Sequence, residues 1–481
     1  MSEARAGFGW RTMRGVALVL LFVKLMLLVG AHPFMDETYY FVWGQHPQLS
    51  YFDHPALIGW TQGLAGALFG WSIFGLRAMV LLTLLGDLVL LYLFAKRTAD
   101  PPWWFWTSTV IFLATPILFG LTSVALPDHL MVFFTLAAVY CVERLRREPE
   151  RVRWLYLAAL AIGFAMLSRY NSGVLAGALV AYILIVPQMR KLFARPHLYL
   201  AALLAVAMQA PVLIWNAEHG LASFGFIFGG RQKLAEAGLN LDGLRGYLLG
   251  GLAVLSPFII WPMLRFAFTR RDGHGYARLV FAISTVGFLF ASLFTNILIH
   301  WNAIAYVAAL PFLAAWFRSR WLLGAQVAYG VLAIGFAAIN YGVLPVMAMV
   351  NAADQTSAWS YGWDEVADAV RAVKADEHIG FIAATDYALA SPLAFALHDR
   401  DVTSISAHRD GYDDWFDPAA HRGETAIIVA DFWRRLDPAF AAQFRRLETA
   451  REFDITRFGH VTDHVTIYIA RDFSPAVAAD N

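Results

Sequence analysis

Three carboxylates near the start of the chain have the types and spacing that could carry acid–base chemistry. Asp36 and Glu37 are adjacent, and Asp53 follows with His54, in a stretch from 36 to 55 that contains no Lys or Arg. A carboxylate can deprotonate an attacking hydroxyl, and its oxygens can also hold a divalent cation. Because an acidic stretch without basic partners is costly to keep beside apolar segments, we interpret it as a candidate site.

The first two acids are expected to begin a short helix that lies along a membrane surface. In such a helix Asp36 and Tyr40 share one face, whereas Glu37 points about 100° away, so only one of the two acids can aim at a given substrate. Simpler interpretations stay open. Asp36 and Glu37 could merely favour the helix dipole. Asp53 could cap the next helix, or it could be a metal ligand within a partial shell of carboxylates.

A second group of candidates lies further along the chain and includes the basic side chains that an anionic ligand would need. Asp128 follows a proline at the start of an apolar span, where a helix cap is the alternative role. Arg169, next to Tyr170, is the one cation in a tight connection between two apolar spans. A turn needs no arginine, so we interpret Arg169 as a binding residue. The remaining candidates are His219, Arg231, Lys233 and His300.

These residues must be positioned by a largely apolar chain. Of its 481 residues, 59% are hydrophobic and 15% charged, which is typical of a polytopic membrane protein. The net charge of +1 gives no global basic field that would indicate nucleic acid as a partner. With about 20 apolar residues needed per helix, we predict eleven transmembrane spans. They lie near 14–30, 73–95, 104–121, 128–143, 154–168, 171–187, 198–216, 244–264, 277–296, 301–317 and 321–344.

Basic residues are distributed unevenly over the connections between these spans. Successive connections alternate between the two sides of the membrane and so form two sets. One set contains nineteen Lys and Arg residues, whereas the other contains only Arg169, Arg231 and Lys233. By the positive-inside rule the N-terminus is cytoplasmic, and the connections 31–72 and 217–243 lie outside. Arg169, Arg231 and Lys233 lie on the outer side although the rule disfavours basic residues there, so we interpret them as binding an anionic ligand. The alternative is that they contact lipid headgroups.

Two of the charges within the predicted spans lie deep inside them. Lys24 and Asp87 each lie roughly 12–15 Å from the cytoplasmic face, counted by helical rise. A charge at that depth costs about 2.5–3.5 kcal/mol on insertion scales, so pairing is the simplest account. We expect a buried structural ion pair there.

The residues after about 350 change in character. Short apolar runs have the composition of buried strands, and segments of helical spacing lie between them. The runs lie at 379–384, 402–405, 426–430 and 465–469. Strands that alternate with helices indicate a small α/β domain. The sequence therefore predicts a transmembrane catalytic domain, 1–350, and a periplasmic α/β domain, 351–481.

Several motifs, taken in their order along the chain, resemble those of a known protein family. The motifs are Asp36-Glu37, Tyr51-Phe52-Asp53-His54-Pro55, Pro127-Asp128, Trp215-Asn216-x-x-His219-Gly220-x-x-Ser223-Phe224 and His300-Trp301-Asn302-Ala303. They resemble the bacterial branch of the GT-C, family 39-like glycosyltransferases, which includes aminoarabinose and galacturonic acid transferases and is related to protein O-mannosyltransferases. The resemblance implies a polyprenyl-phosphate sugar donor and inverting transfer, at the outer face of the inner membrane, to lipid A, a lipopolysaccharide core or another glycolipid or protein acceptor.

The same resemblance implies roles for single residues. Asp36 would match the essential first-loop acid, as base or acceptor-positioning group. Asp53 would match an acid that can hold a divalent cation near the lipid phosphate, and Asp128 the second-loop acid. His54 stands where aminoarabinose transferases have lysine, and Arg169 stands where relatives often have lysine. Two other classes stay open: a flippase for lipid-linked sugars, which would more often show inverted repeats, and a sensor with a ligand-binding outer domain.

Overall fold

The computed structural model describes residues 8–230, 239–269, 274–350 and 354–475, and these residues are mostly helical. The helices are α1 (Trp10–Gly30), α2 (Met35–Gln45), α3 (Leu57–Phe69), α4 (Ile73–Ala95), α5 (Pro101–Leu113), α6 (Pro116–Leu121), α7 (Pro127–Arg147), α8 (Arg153–Ser168), α9 (Gly173–Ile185), α10 (Pro187–Arg190), α11 (Pro196–Ala207), α12 (Ala210–Glu218), α13 (Ala222–Gly225), α14 (Leu241–Leu255), α15 (Pro257–Phe268), α16 (Gly275–Ala291), α17 (Ala303–Leu313), α18 (Arg320–Gly342), α19 (Val346–Met349), α20 (Gln355–Ser360), α21 (Trp363–Asp376), α22 (Tyr387–Leu397) and α23 (Pro438–Ala441). The strands are β1 (Phe381–Ala384), β2 (Thr403–Ser404), β3 (Ala426–Asp431), β4 (Phe444–Arg457) and β5 (His460–Phe473).

Each predicted span contains helix, but several are broken. Proline is one reason, since it starts helices readily and cannot continue one without losing a hydrogen bond. At Ser256, where φ is 83°, the chain bends and α14 and α15 meet at 102°. Within the described ranges four helices are long and apolar enough to cross a membrane, or up to seven spans if each of three bent pairs is counted once. The number eleven therefore stays a prediction.

The chain divides into two compact units, and the division is not a cut at one position. The first unit comprises Met1–Leu28, Leu49–Ile58 and Met79–Gly335, and the second comprises Val29–Gln48, Gly59–Ala78 and Phe336–Asn481. The sequence prediction placed a single boundary near 350. In the structure, two early segments instead pack with the C-terminal residues.

The second unit contains a five-stranded mixed sheet with the order β2-β1-β3-β5-β4. β1 is parallel to β2 and β3, whereas β5 is antiparallel to β3 and β4. β1 and β3 are buried along their whole length, as expected for parallel strands covered on both faces. The predicted α/β character of this region is confirmed, although β4 was not predicted.

Helices α2 and α3 approach each other at two glycines of the second unit. A Cβ atom added to Gly44 would lie 2.2 Å from the backbone nitrogen of Gly63. The two backbones are therefore in direct contact, which a larger residue at Gly44 would prevent. This contact fixes the C-terminal half of α2.

Lys24 and Asp87, in the first unit, are both wholly buried, but they do not form the ion pair that the sequence predicts. Lys24 Nζ donates to Phe119 O at 2.8 Å, Thr122 Oγ1 at 3.0 Å and Ser123 Oγ at 2.6 Å. The Asp87 carboxylate has no hydrogen-bond partner among the described residues, although it attracts Lys24 electrostatically. The prediction is wrong because α6 and the two residues that follow it place three oxygens within hydrogen-bond distance of the Lys24 ammonium.

Candidate functional site

The first turn of α2 presents the adjacent acids Asp36 and Glu37. Asp36 is partly exposed, whereas Glu37 is completely buried. Glu37 Oε2 accepts a hydrogen bond from the backbone nitrogen of Phe34 at 2.9 Å, so it satisfies a donor at the helix start. Both acids also lie where the helix dipole favours negative charge.

Glu37 is held by an arginine from the start of α4. Arg77 Nε and Nη2 donate to the Glu37 carboxylate at 2.9 and 2.7 Å, and the arginine also donates to Ala31 O at 2.9 Å and His32 O at 3.0 Å. The expectation that this acidic stretch lacks a basic partner is therefore wrong for Glu37. The partner comes 40 residues later, and its position inside a predicted span was the overlooked indication. This geometry accounts for Glu37 without a substrate.

Tyr40 is also buried, and its ring packs edge-on against Trp43 at 4.9 Å. Its neighbour Tyr39 reaches the C-terminal part of the second unit, where its hydroxyl accepts a hydrogen bond from Gly411 N at 2.7 Å. The Tyr39 ring also lies 4.6 Å from that of Tyr387. Helix α2 is therefore held on its buried face, while Asp36 lies on a partly exposed one.

Asp53 and His54 lie in the connection that precedes α3 and belong to the first unit. Asp53 is half-buried and His54 is buried. Within the described ranges, no three His, Cys, Asp or Glu side chains are grouped in a way that could hold a metal ion. The divalent cation at Asp53 therefore stays a prediction.

Asp128, Arg169 and His300, which come from three separate connections in the sequence, meet in the first unit. Arg169 Nη1 forms an ion pair with Asp128 Oδ2, and its Nη2 lies 3.4 Å from His300 Nε2. A guanidinium only donates, so this ring nitrogen accepts. Arg169 is 6% exposed and Asp128 is 2% exposed.

One oxygen of this cluster, Asp128 Oδ1, is buried and has no hydrogen-bond partner among the described residues. Asp128 is the second residue of α7, after Pro127, and Arg169 follows the last residue of α8 with an extended backbone, φ −149°. The ends of two helices thus bring the acid and the arginine together.

The residues after Arg169 extend this polar region. Tyr170 donates to or accepts from Ser223, with 2.8 Å between the hydroxyl oxygens, and Asn171 Nδ2 donates to Trp301 O at 2.6 Å. Trp301 follows His300, so the segment 169–171 contacts the start of the 299–302 turn twice. The positions predicted as binding residues at 169, 170 and 300 therefore belong to one connected region.

His219 has a local role in the structure. Its ring stacks on Trp215 with centroids 4.1 Å apart, and its Nδ1 lies 2.8 Å from Trp215 O. Asn216 Oδ1 accepts from Phe224 N at 3.1 Å, which fixes the turn after α12. Arg231 and Lys233 lie outside the described residues, so their predicted binding of an anion stays a prediction.

This arrangement suits the binding of an anion. A carboxylate that holds one edge of a guanidinium orients the remaining N–H groups, and arginine in this state recognises phosphate well. A fixed cation at such a position can also stabilise negative charge that develops on a leaving group.

Comparison with known proteins identifies part of the chain. Residues 53–215 match the model of the dolichyl-phosphate-mannose-protein mannosyltransferase family. We refer to these residues as the mannosyltransferase-family domain, after the family whose model they match. The mannosyltransferase-family domain includes Asp53, His54, Asp128 and Arg169, whereas Asp36 precedes it. The resemblance inferred from the motifs is confirmed.

Two further similarities extend beyond the mannosyltransferase-family domain. The chain is 25% identical over 236 residues to the lipid A galacturonosyltransferase RgtD of Rhizobium johnstonii, and this alignment spans 48% of each protein. The structure resembles that of ArnT from Cupriavidus metallidurans bound to undecaprenyl phosphate, with a TM-score of 0.59, 16% identity and coverage of 95% and 97% of the two chains. The apo form of ArnT gives a TM-score of 0.58. The fold is therefore shared with ArnT along nearly the whole chain.

Proposed function

We propose that the protein is an inverting glycosyltransferase that moves a sugar from a polyprenyl phosphate to an acceptor outside the cytoplasm. The observation that carries the proposal is the cluster of Arg169 and Asp128, at the ends of two helices of the mannosyltransferase-family domain, with His300 from the turn 299–302. A buried, oriented guanidinium suits the phosphate that leaves with the lipid. The solved ArnT structure with undecaprenyl phosphate supports this class of donor.

In this proposal Asp36 takes the proton of the acceptor hydroxyl. The acceptor oxygen then forms a bond to the anomeric carbon while the bond between that carbon and the phosphate oxygen breaks. The polyprenyl phosphate leaves with the electron pair, and Arg169 stabilises its charge. Asp53 would hold a divalent cation, if one takes part, through its carboxylate oxygens.

The acceptor that we propose is lipid A or a lipopolysaccharide core. The similarity to RgtD, a lipid A galacturonosyltransferase, supports an acceptor of this kind. The distribution of basic residues supports an N-terminus in the cytoplasm and a periplasmic C-terminal α/β domain in a bacterial inner membrane.

The test is sugar transfer by purified protein in nanodiscs with a radiolabelled undecaprenyl-phosphate sugar. Replacing Arg169 by alanine should lower kcat/KM by about 10²–10³, the range for loss of one group that stabilises developing charge. Replacing Asp36 by asparagine should lower kcat by about 10²–10⁴. Arg153, exposed at the other end of α8, provides the matched control, and Arg153→Ala should leave transfer unchanged. Wild-type rates in both site variants would refute the proposal.

A further inference from the structure

The second unit contains a cavity of about 330 Å³ that the proposed transfer reaction does not use. Its wall combines His46, which follows α2, with the first residues of β1 and β2 and with the short helical turn Gly411–Asp414. This volume is at the lower end of the roughly 300–1,000 Å³ that is usual for small-molecule sites. One wall of the cavity is thus attached to the helix that carries Asp36.

One polar group in the wall lacks a partner. Thr403 is 2% exposed, it lines the cavity, and its hydroxyl has no hydrogen-bond partner among the described residues. A buried hydroxyl that neither donates nor accepts costs free energy, and native structures rarely keep one without a reason. A ligand in the cavity would provide the missing bond.

Aromatic rings form another part of the wall. His46 stacks on Trp415 with centroids 4.5 Å apart and an interplanar angle of 7°, and Tyr412 meets Trp415 edge-on at 5.3 Å. His46 Nε2 also lies 3.0 Å from Arg400 O, and burial lowers the pKa of this histidine, so its ring is neutral near pH 7. The rings give a rigid, amphipathic surface for the apolar face of a ligand.

The charges around the cavity nearly balance. Lys374 and Arg400 line the cavity together with the acids Asp399 and Asp401, and Arg400 lies 3.6 Å from Asp401 in an exposed ion pair. A phosphate would meet two acids here, whereas a hydroxyl-rich ring would find both donors and acceptors. Donors and acceptors of both signs beside aromatic rings match the chemistry of a saccharide better than that of a lipid phosphate.

We infer that this cavity binds a saccharide unit of the acceptor. The inference rests on the proposed function for the identity of the acceptor. Asp36 and His46 are ten residues apart at opposite ends of α2, which corresponds to about 15 Å along the helix axis. A short oligosaccharide has this reach. One ring held in the cavity would place a hydroxyl of a ring a few units further along the oligosaccharide near Asp36, and α2 would fix that spacing.

The decisive variant is Thr403→Val, because it removes the unpartnered hydroxyl and retains a branched side chain suited to a strand. Binding is measured by calorimetry on full-length Asp36→Asn protein in nanodiscs. The probes are a glucosamine disaccharide and the core oligosaccharide released from lipopolysaccharide by mild acid. At least one probe should bind, and adding Thr403→Val should weaken that binding at least tenfold while the Tm stays unchanged or rises. Thr466→Val, on β5 and outside the cavity wall, should change neither value.

Several outcomes would overturn the inference. Equal affinity with and without Thr403→Val would mean that the hydroxyl meets no ligand, and failure of both probes to bind a protein that transfers sugar would exclude the cavity as an acceptor subsite. In the active enzyme, Thr403→Val should raise the KM for a saccharide acceptor and leave kcat unchanged. If a probe binds the cavity and the wild type transfers no sugar, the proposed function fails and the saccharide site remains.

Discussion

The buried ion pair between Glu37 and Arg77 permits a quantitative test of how α2 is held. Arg77→Met would remove two hydrogen bonds to the Glu37 carboxylate and two to backbone carbonyls, and it would leave a carboxylate that is 0% exposed without its counter-charge. Breaking a buried pair from one side costs about 3–5 kcal/mol. Since about 1.4 kcal/mol is a factor of ten, the unfolded fraction should rise at least about a hundredfold.

The assay is equilibrium unfolding of purified protein in mixed micelles titrated with SDS, followed by tryptophan fluorescence. Arg153→Met, an exposed arginine of α8, is the matched control and should cost less than about 1 kcal/mol. The double variant Glu37→Gln with Arg77→Met removes both charges, so it should recover most of the lost stability. It should also retain sugar transfer if Glu37 only supports α2.

A different pair of results would refute this reasoning. If Arg77→Met costs less than 1 kcal/mol, the pair does not hold α2. If the double variant is as stable as the wild type but no longer binds the acceptor, Glu37 contacts substrate, as the sequence alone suggested.

Three further outcomes are expected. Lys24→Met removes three hydrogen bonds and the charge that attracts the buried Asp87, so SDS titration should show a loss of about 3–5 kcal/mol, and a loss below 1 kcal/mol would contradict this. Burial, with the neighbouring Asp431 charge, raises the pKa of Asp463 to about 7. A carboxyl whose pKa is higher in the folded state binds more protons there, so stability should fall as pH rises from about 4 to 7. Asp463→Asn should flatten this pH profile in thermal unfolding, and an unchanged slope would exclude Asp463 as its source. Gly44→Ala forces α2 away from α3 and should cost about 1–3 kcal/mol, whereas a wild-type Tm would show that the contact is loose.

Much of the helical framework was predictable because apolar length is a local property. The predicted span 73–95 coincides with α4, and the predicted short helix after Asp36 is α2. The break at Ser256 was less visible, although Pro257 marks it, because the apolar run continues across both helices. Hydropathy reports burial, whereas a bend depends on one backbone torsion.

Strand β4 was missed for a different reason. Its sequence contains Arg, Glu and Leu at positions that favour helix as much as strand. β4 lies at the edge of the sheet, where charged side chains are common because they prevent pairing with other chains. The apolar pattern that revealed the buried β3 is therefore absent from β4.

The partners of the candidate site could be foreseen only in part. Sequence reasoning placed Asp128, Arg169 and His300 on one side of a membrane, and the structure brings them into contact. It did not find Arg77 as the partner of Glu37, because pairing across 40 residues depends on how two helices approach. An arginine within a predicted span was nevertheless a sufficient reason to look for a buried acid.

The bond between Tyr39 and Gly411 joins residues 372 positions apart, and it has a consequence for biosynthesis. A ribosome finishes α2 long before it makes the segment that secures this helix, at about 5–20 residues per second. During that interval α2, which carries the first acids, lacks the hydrogen bond between Tyr39 and Gly411 that later secures it. A stop codon or frameshift late in the gene would therefore abolish activity, although every proposed catalytic residue is encoded upstream of it.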